Sequence, residues 1–185
     1  MKLRRHVPAV AFGLVVALGA SAGVANAAPV ALTSLLSPAQ GTWRTLNGTE
    51  VTVAPCPTGT DFCGDLTYVV IPKKNADQCR TTDRQAFAAL MQDYSNPDKS
   101  LQSRPILGLQ MLKMKPTSDP TAFTASVYNP EDGSTNDVNV WIVNNNNTLR
   151  IGGGCVGSIC VVTQDWPRVP ERGDGTPDFT CDGGQ

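Results

Sequence analysis

From Gly41 to Trp166 the sequence breaks into short β-forming runs separated by turn residues, with one interval of helical period between them. The runs are Gly41–Leu46, Glu50–Ala54, Cys63–Ile71, Ile106–Lys115, Ala122–Asn129, Thr135–Val143, Thr148–Gly152 and Ser158–Trp166. Asn47-Gly48 ends the first, and Val51 and Val53 share one face of the second. Pro130 to Gly133 has the proline-early, glycine-late order of a type I turn, and Asn144 to Asn147 forms a polar hairpin tip. Gly152-Gly153-Gly154 opens no helix, so it reads as a loop or bulge and not as a phosphate cradle. In the middle, Thr82 and Gln85 have capping-box spacing, and Phe87, Leu90 and Met91 recur at three and four residues. One short helix is expected over Asp83–Tyr94. Eight short strands with mostly hairpin-length links point to an all-β fold, an antiparallel eight-stranded barrel with one short inserted helix. Closure removes the exposed strand edges that an open sheet would carry.

The flanks are different in kind. Lys2, Arg4 and Arg5 precede an apolar run, and Ala25-Asn26-Ala27 is a small-x-small cleavage site. Residues 1–27 therefore read as a signal peptide cleaved after Ala27, giving a periplasmic or secreted protein with no transmembrane segment after cleavage. Residues 28–40 read as a flexible lead-in, 41–169 as the barrel domain and 170–185 as a tail tethered by Cys181. Beyond the leader there is no histidine, because His6 is the only one in the chain. That removes the commonest general base and the commonest nitrogen ligand for metals. Acidic residues then outnumber basic ones and no basic cluster is present, which argues against nucleic acid as a partner.

All six cysteines survive the cleavage, and an even number in an exported chain indicates disulfides. Cys56 and Cys63 flank a turn-rich loop, as do Cys155 and Cys160, and both spacings suit a bridge across a short loop. Cys79 and Cys181 are left to pair, pinning the tail against the helical region. Cys-x-x-Cys is absent, so a metal or redox site has no support, and no cofactor is implied. Gly-x-Ser-x-Gly is absent too. Glu131 and Asp132 are explained by turn chemistry, and the tail aspartates Asp174, Asp178 and Asp182 lack EF-hand spacing.

Gly41-Thr42-Trp43 at the start and Gln164, Trp166 and Arg168 on one face of the last strand resemble the calycin barrels, the group containing lipocalins. There the arginine lies across the tryptophan ring and closes the barrel base. The resemblance thus assigns Gly41, Trp43 and Arg168 as barrel-closing residues. Phe62-Cys63-Gly64, Asn96-Pro97, Ser103 to Leu109, Val127 to Gly133 and the Gln164-x-Trp166-x-Arg168 pattern, in that order, resemble an exported bacterial family, domain of unknown function 2147. The resemblance implies a calycin-like envelope protein and supplies no activity. The segment Cys79–Tyr94 and the tail after Arg168 depart from the pattern.

The functional reading is a non-enzymatic exported barrel, expected as a monomer, that binds a small apolar ligand in its interior. The alternative is a filled barrel that works through its loops as an inhibitor or accessory module for an envelope protein. Aromatic content of 6% argues mildly for filling. A pocket with converging carboxylates or Arg104 would instead favour an enzyme.

Overall fold

The computed structural model describes residues 37–157 and 159–182; the expected signal peptide and most of the expected lead-in lie outside them. Eight strands close into an antiparallel barrel: β1 Gly41–Arg44, β2 Glu50–Pro55, β3 Phe62–Val70, β4 Gln110–Pro116, β5 Ala122–Asn129, β6 Ser134–Val143, β7 Thr148–Gly153 and β8 Val162–Val169. Each pairs with its chain neighbour, and β1 closes the circuit on β8 through Thr42–Val169 and Trp43–Arg168. The fold class read from the sequence is therefore the one observed.

Alternation along the strands fills the lower barrel. Trp43, Val51, Leu112, Met114, Val140 and Leu149 are wholly or almost wholly buried, with Phe62 and Phe123 in edge contact at 5.8 Å between ring centroids. Gly64 belongs to this packing. A Cβ there would lie 2.9 Å from both Leu112 and Val51.

Several expectations need correction. Two helices occupy the β3–β4 connection where one was expected: α1 Lys73–Thr81 and α2 Arg84–Leu90. α1 is polar throughout and buries only Ala76 and Cys79, three residues apart on one face, which is too little apolar content to stand out as a helix in the sequence. The Asp83 side chain accepts the Ala86 N–H at 3.0 Å and caps α2, which stops at Leu90, short of Tyr94. A short 3₁₀ turn, Lys99–Leu101, follows.

The tail is not merely tethered. Asp178–Thr180 forms β9, parallel to β3. Phe179 packs with Phe87, Ile71 and Cys79 in a second, smaller core outside the barrel. Ser37–Gln40, assigned to the flexible lead-in, packs against the barrel, with Ala39 fully buried. Gly152 and Gly153 lie within β7, not in a loop. A Cβ on Gly152 would meet Cys160 Sγ at 2.5 Å and Trp141 at 2.9 Å, so the glycine makes room for side chains crossing the strand. The last strand starts at Val162, after a loop in which Val156 and Ile159 bridge to each other; Ser158, where its start was expected, lies outside the described residues.

Candidate functional site at the barrel mouth

The two ends of the barrel differ. At the base, the Arg168 guanidinium lies 4.1 Å from the centre of the Trp43 ring. Its Nε donates to Asn146 O at 2.7 Å, and Nη1 and Nη2 donate to Gln40 O and Pro38 O at 2.6 Å each. The Trp43 indole N–H donates to Ala39 O at 2.9 Å. Gly41 has φ +127°, and a Cβ there would sit 2.3 Å from Arg168 Nη1. Only glycine both adopts that backbone and leaves space for the guanidinium. The three residues converge, and the base is plugged.

The mouth carries the β1–β2 turn, the β3–β4 insertion, the β5–β6 turn and the β7–β8 loop. The insertion is seated there by a buried carboxylate. Asp93 is fully buried; Tyr128 OH donates to it at 2.5 Å, Asn96 Nδ2 at 2.8 Å and Arg104 Nε at 2.7 Å. Burial pushes the Asp93 carboxyl up, but the three donors and the Arg104 charge outweigh it and hold the group below its ordinary value. Burial, then the hydrogen bond to Asp93 and the Asp93 charge, raise the Tyr128 phenol. Ser95 Oγ donates to Glu131 O at 3.0 Å, and Gly133 fits beneath Ser95, where a Cβ would lie 2.0 Å from the carbonyl oxygen. Asn96, Arg104, Tyr128 and Gly133 were visible as motif residues. Asp93, the common partner of Asn96, Arg104 and Tyr128, fell inside the expected helix.

Below this seat is a cavity of about 670 Å³, lined by Leu66, Val69, Ile106, Met111, Val127 and Trp166, with Lys74, Gln92, Tyr128 and Glu131 toward its rim. Gln164 points into it, its Oε1 accepting the Trp166 indole N–H at 3.1 Å. A groove of about 730 Å³ runs over the outer wall along Lys113, Lys115, Ser126, Asp137 and Asn139. That groove is polar strand surface, whereas the mouth has an apolar wall below a polar rim, as a small-molecule site can have. Arg104 does converge with a carboxylate, but both are spent on each other and on Tyr128.

On the outer wall the tail is clamped. Arg172 donates to Glu50 at 2.9 and 3.0 Å and stacks on Tyr68 at 3.9 Å, while Arg44 reaches the same carboxylate. Arg84 pairs with Asp178 and with Phe179 O. Of the tail aspartates, Asp174 accepts the Thr176 N–H and Asp182 lies 4.0 Å from Arg80, so the three do not gather around one point. Among the described residues the disulfides are Cys56–Cys63 at the base, Cys155–Cys160 at the mouth and Cys79–Cys181 between α1 and the tail.

No helix among the described residues is long and apolar enough to cross a membrane. Three disulfides fit an extracellular protein. No curated protein matches the chain. Among solved structures, protein HP1028 from Helicobacter pylori, described as belonging to the lipocalin family, is similar at 18% identity and a TM-score of 0.49, over 72% of this chain and 84% of that one. The model of the family described as "uncharacterized protein conserved in bacteria (DUF2147)" matches residues 41–168, the whole barrel from the Trp43 strand to Arg168, and the chain belongs to that family.

Proposed function

We propose that the chain is an exported, non-enzymatic barrel protein that binds a small apolar ligand at the barrel mouth. The cavity of about 670 Å³ with its Leu66, Val69, Met111, Val127 and Trp166 wall carries the reading. The ligand sits in the upper barrel only, since side chains fill the lower part. Trp43, Arg168 and Gly41 serve closure and stability, and the three disulfides hold the loops and tail. Export is supported by the basic, apolar and Ala25-x-Ala27 order of residues 1–27 and by the disulfides. N-terminal sequencing of exported protein is expected to begin at Ala28.

Titration with a fluorescent apolar probe tests the ligand site. Saturable binding is expected, and Val127→Trp, which fills the cavity, is expected to weaken it at least ~10-fold while the protein stays folded. Binding unaffected by Val127→Trp would place the ligand elsewhere.

A further inference from the structure

Four aliphatic side chains stand in solvent on the β7–β8 connection: Val156 is 85% exposed, Ile159 79%, Val161 85% and Val162 57%. Single exposed apolar residues are ordinary, but a cluster on one loop marks a contact surface. Leu46, 71% exposed in the β1–β2 turn at the same end, borders the cavity opening.

We infer that the β7–β8 loop docks on a lipid bilayer surface, its aliphatic side chains entering the boundary between headgroups and acyl chains. The charge pattern fits that occupant. From Ile151 to Gln164 there is no charged residue, and the flanking Arg150 and Asp165 neutralise each other at 2.7 and 2.8 Å. The backbone of three of the four aliphatic-bearing positions on this connection is already paired, which lowers the cost of entering an apolar phase. Val156 N donates to Ile159 O at 2.8 Å, Ile159 N to Val156 O at 3.3 Å and Val161 N to Gly153 O at 3.1 Å. The Cys155–Cys160 bridge holds the loop in that shape before contact. Residue type points the same way. Protein interfaces concentrate their energy on Trp, Tyr and Arg, and this loop offers aliphatic groups without directional partners. The cavity opens at the same end, so an apolar ligand would pass between bilayer and barrel without crossing bulk water. That last step rests on the cavity reading; the docking does not.

The test is sedimentation of the disulfide-intact protein beginning at Ala28, so that the apolar leader is absent, with phosphatidylcholine vesicles and without added ligand. The unaltered protein is expected to co-sediment, with little change on raising salt several-fold, because the inserting loop carries no charge of its own. An Ile159→Asp, Val161→Asp double variant is expected to lose at least ~10-fold in partitioning. Thr124→Asp, on the outer wall, is the charge control and retains binding, with circular dichroism checking the fold of each. Failure of the unaltered protein to bind, binding retained by the double variant, or binding abolished by salt overturns the proposal. Self-association abolished by the double variant, without vesicle binding, would make the loop a protein interface instead. Vesicle binding without uptake of an apolar probe would remove the cavity reading alone.

Discussion

Arg168 combines a stack on Trp43 with three donations to backbone carbonyls from two other segments. Arg168→Ala is expected to cost about 2–3 kcal/mol, and Arg168→Lys about half as much, since the ammonium keeps charge but loses the plane and the fork. Trp43→Ala removes a fully buried ring and is expected to cost about 3–5 kcal/mol. Urea midpoints of the three variants check both. Asp93 gives a pH signature. Its folded pKa lies below the unfolded value, so the folded state favours the charged form. That stability is complete above the unfolded value of about 4 and is lost as pH falls through the depressed folded value. Asp93→Asn is expected to destabilise at pH 7 by about 3 kcal/mol and to flatten the fall in stability below about pH 4. An unchanged acid limb in the variant would remove Asp93 from that role.

At the scale of elements, the insertion, the tail and β3 form one unit. Cys79–Cys181 closes a separation of 102 residues and Cys155–Cys160 one of 5. The chain-entropy model then gives about 4–5 kcal/mol for the first and about 2 kcal/mol for the second. Paired Cys→Ala variants, compared by urea unfolding, are expected to follow that order. Gly133→Ala is the matching backbone prediction. The position has φ +76°, and the added Cβ would strike a carbonyl of the insertion. The loss is expected to exceed about 2 kcal/mol and to raise hydrogen exchange around Ser95 and Asn96, where the insertion sits on the β5–β6 turn.

For the whole molecule, closure joins residues about as far apart in sequence as the barrel allows: Trp43 pairs with Arg168. Such non-local pairing makes folding slow, in the range of about milliseconds to seconds. If the seam forms after the rate-limiting step, Arg168→Ala is expected to speed unfolding while leaving the folding rate nearly unchanged, which stopped-flow fluorescence measures. The seam was readable because its motif stands at the two ends of a strand series that must meet when a sheet closes. The strands were readable for an equally local reason: side chains alternate with period two, so a half-buried strand writes its pattern along the chain, as Val51 and Val53 do. α1 was not readable, since only Ala76 and Cys79 are apolar in it and it owes its place to those two residues and a bridge to the tail. Nor was β9, which exists because the edge of β3 offers a partner. Glu50 with Arg172 and Asp93 with Tyr128 are joined across 122 and 35 residues, and no local pattern encodes such pairs. By itself the sequence determined the strands, the turns, the closing motif and the family. Only the tertiary structure decided that the lower barrel is filled, that the cavity lies at the mouth, and that an uncharged loop stands beside it, because burial and cavities arise from which distant side chains share a space.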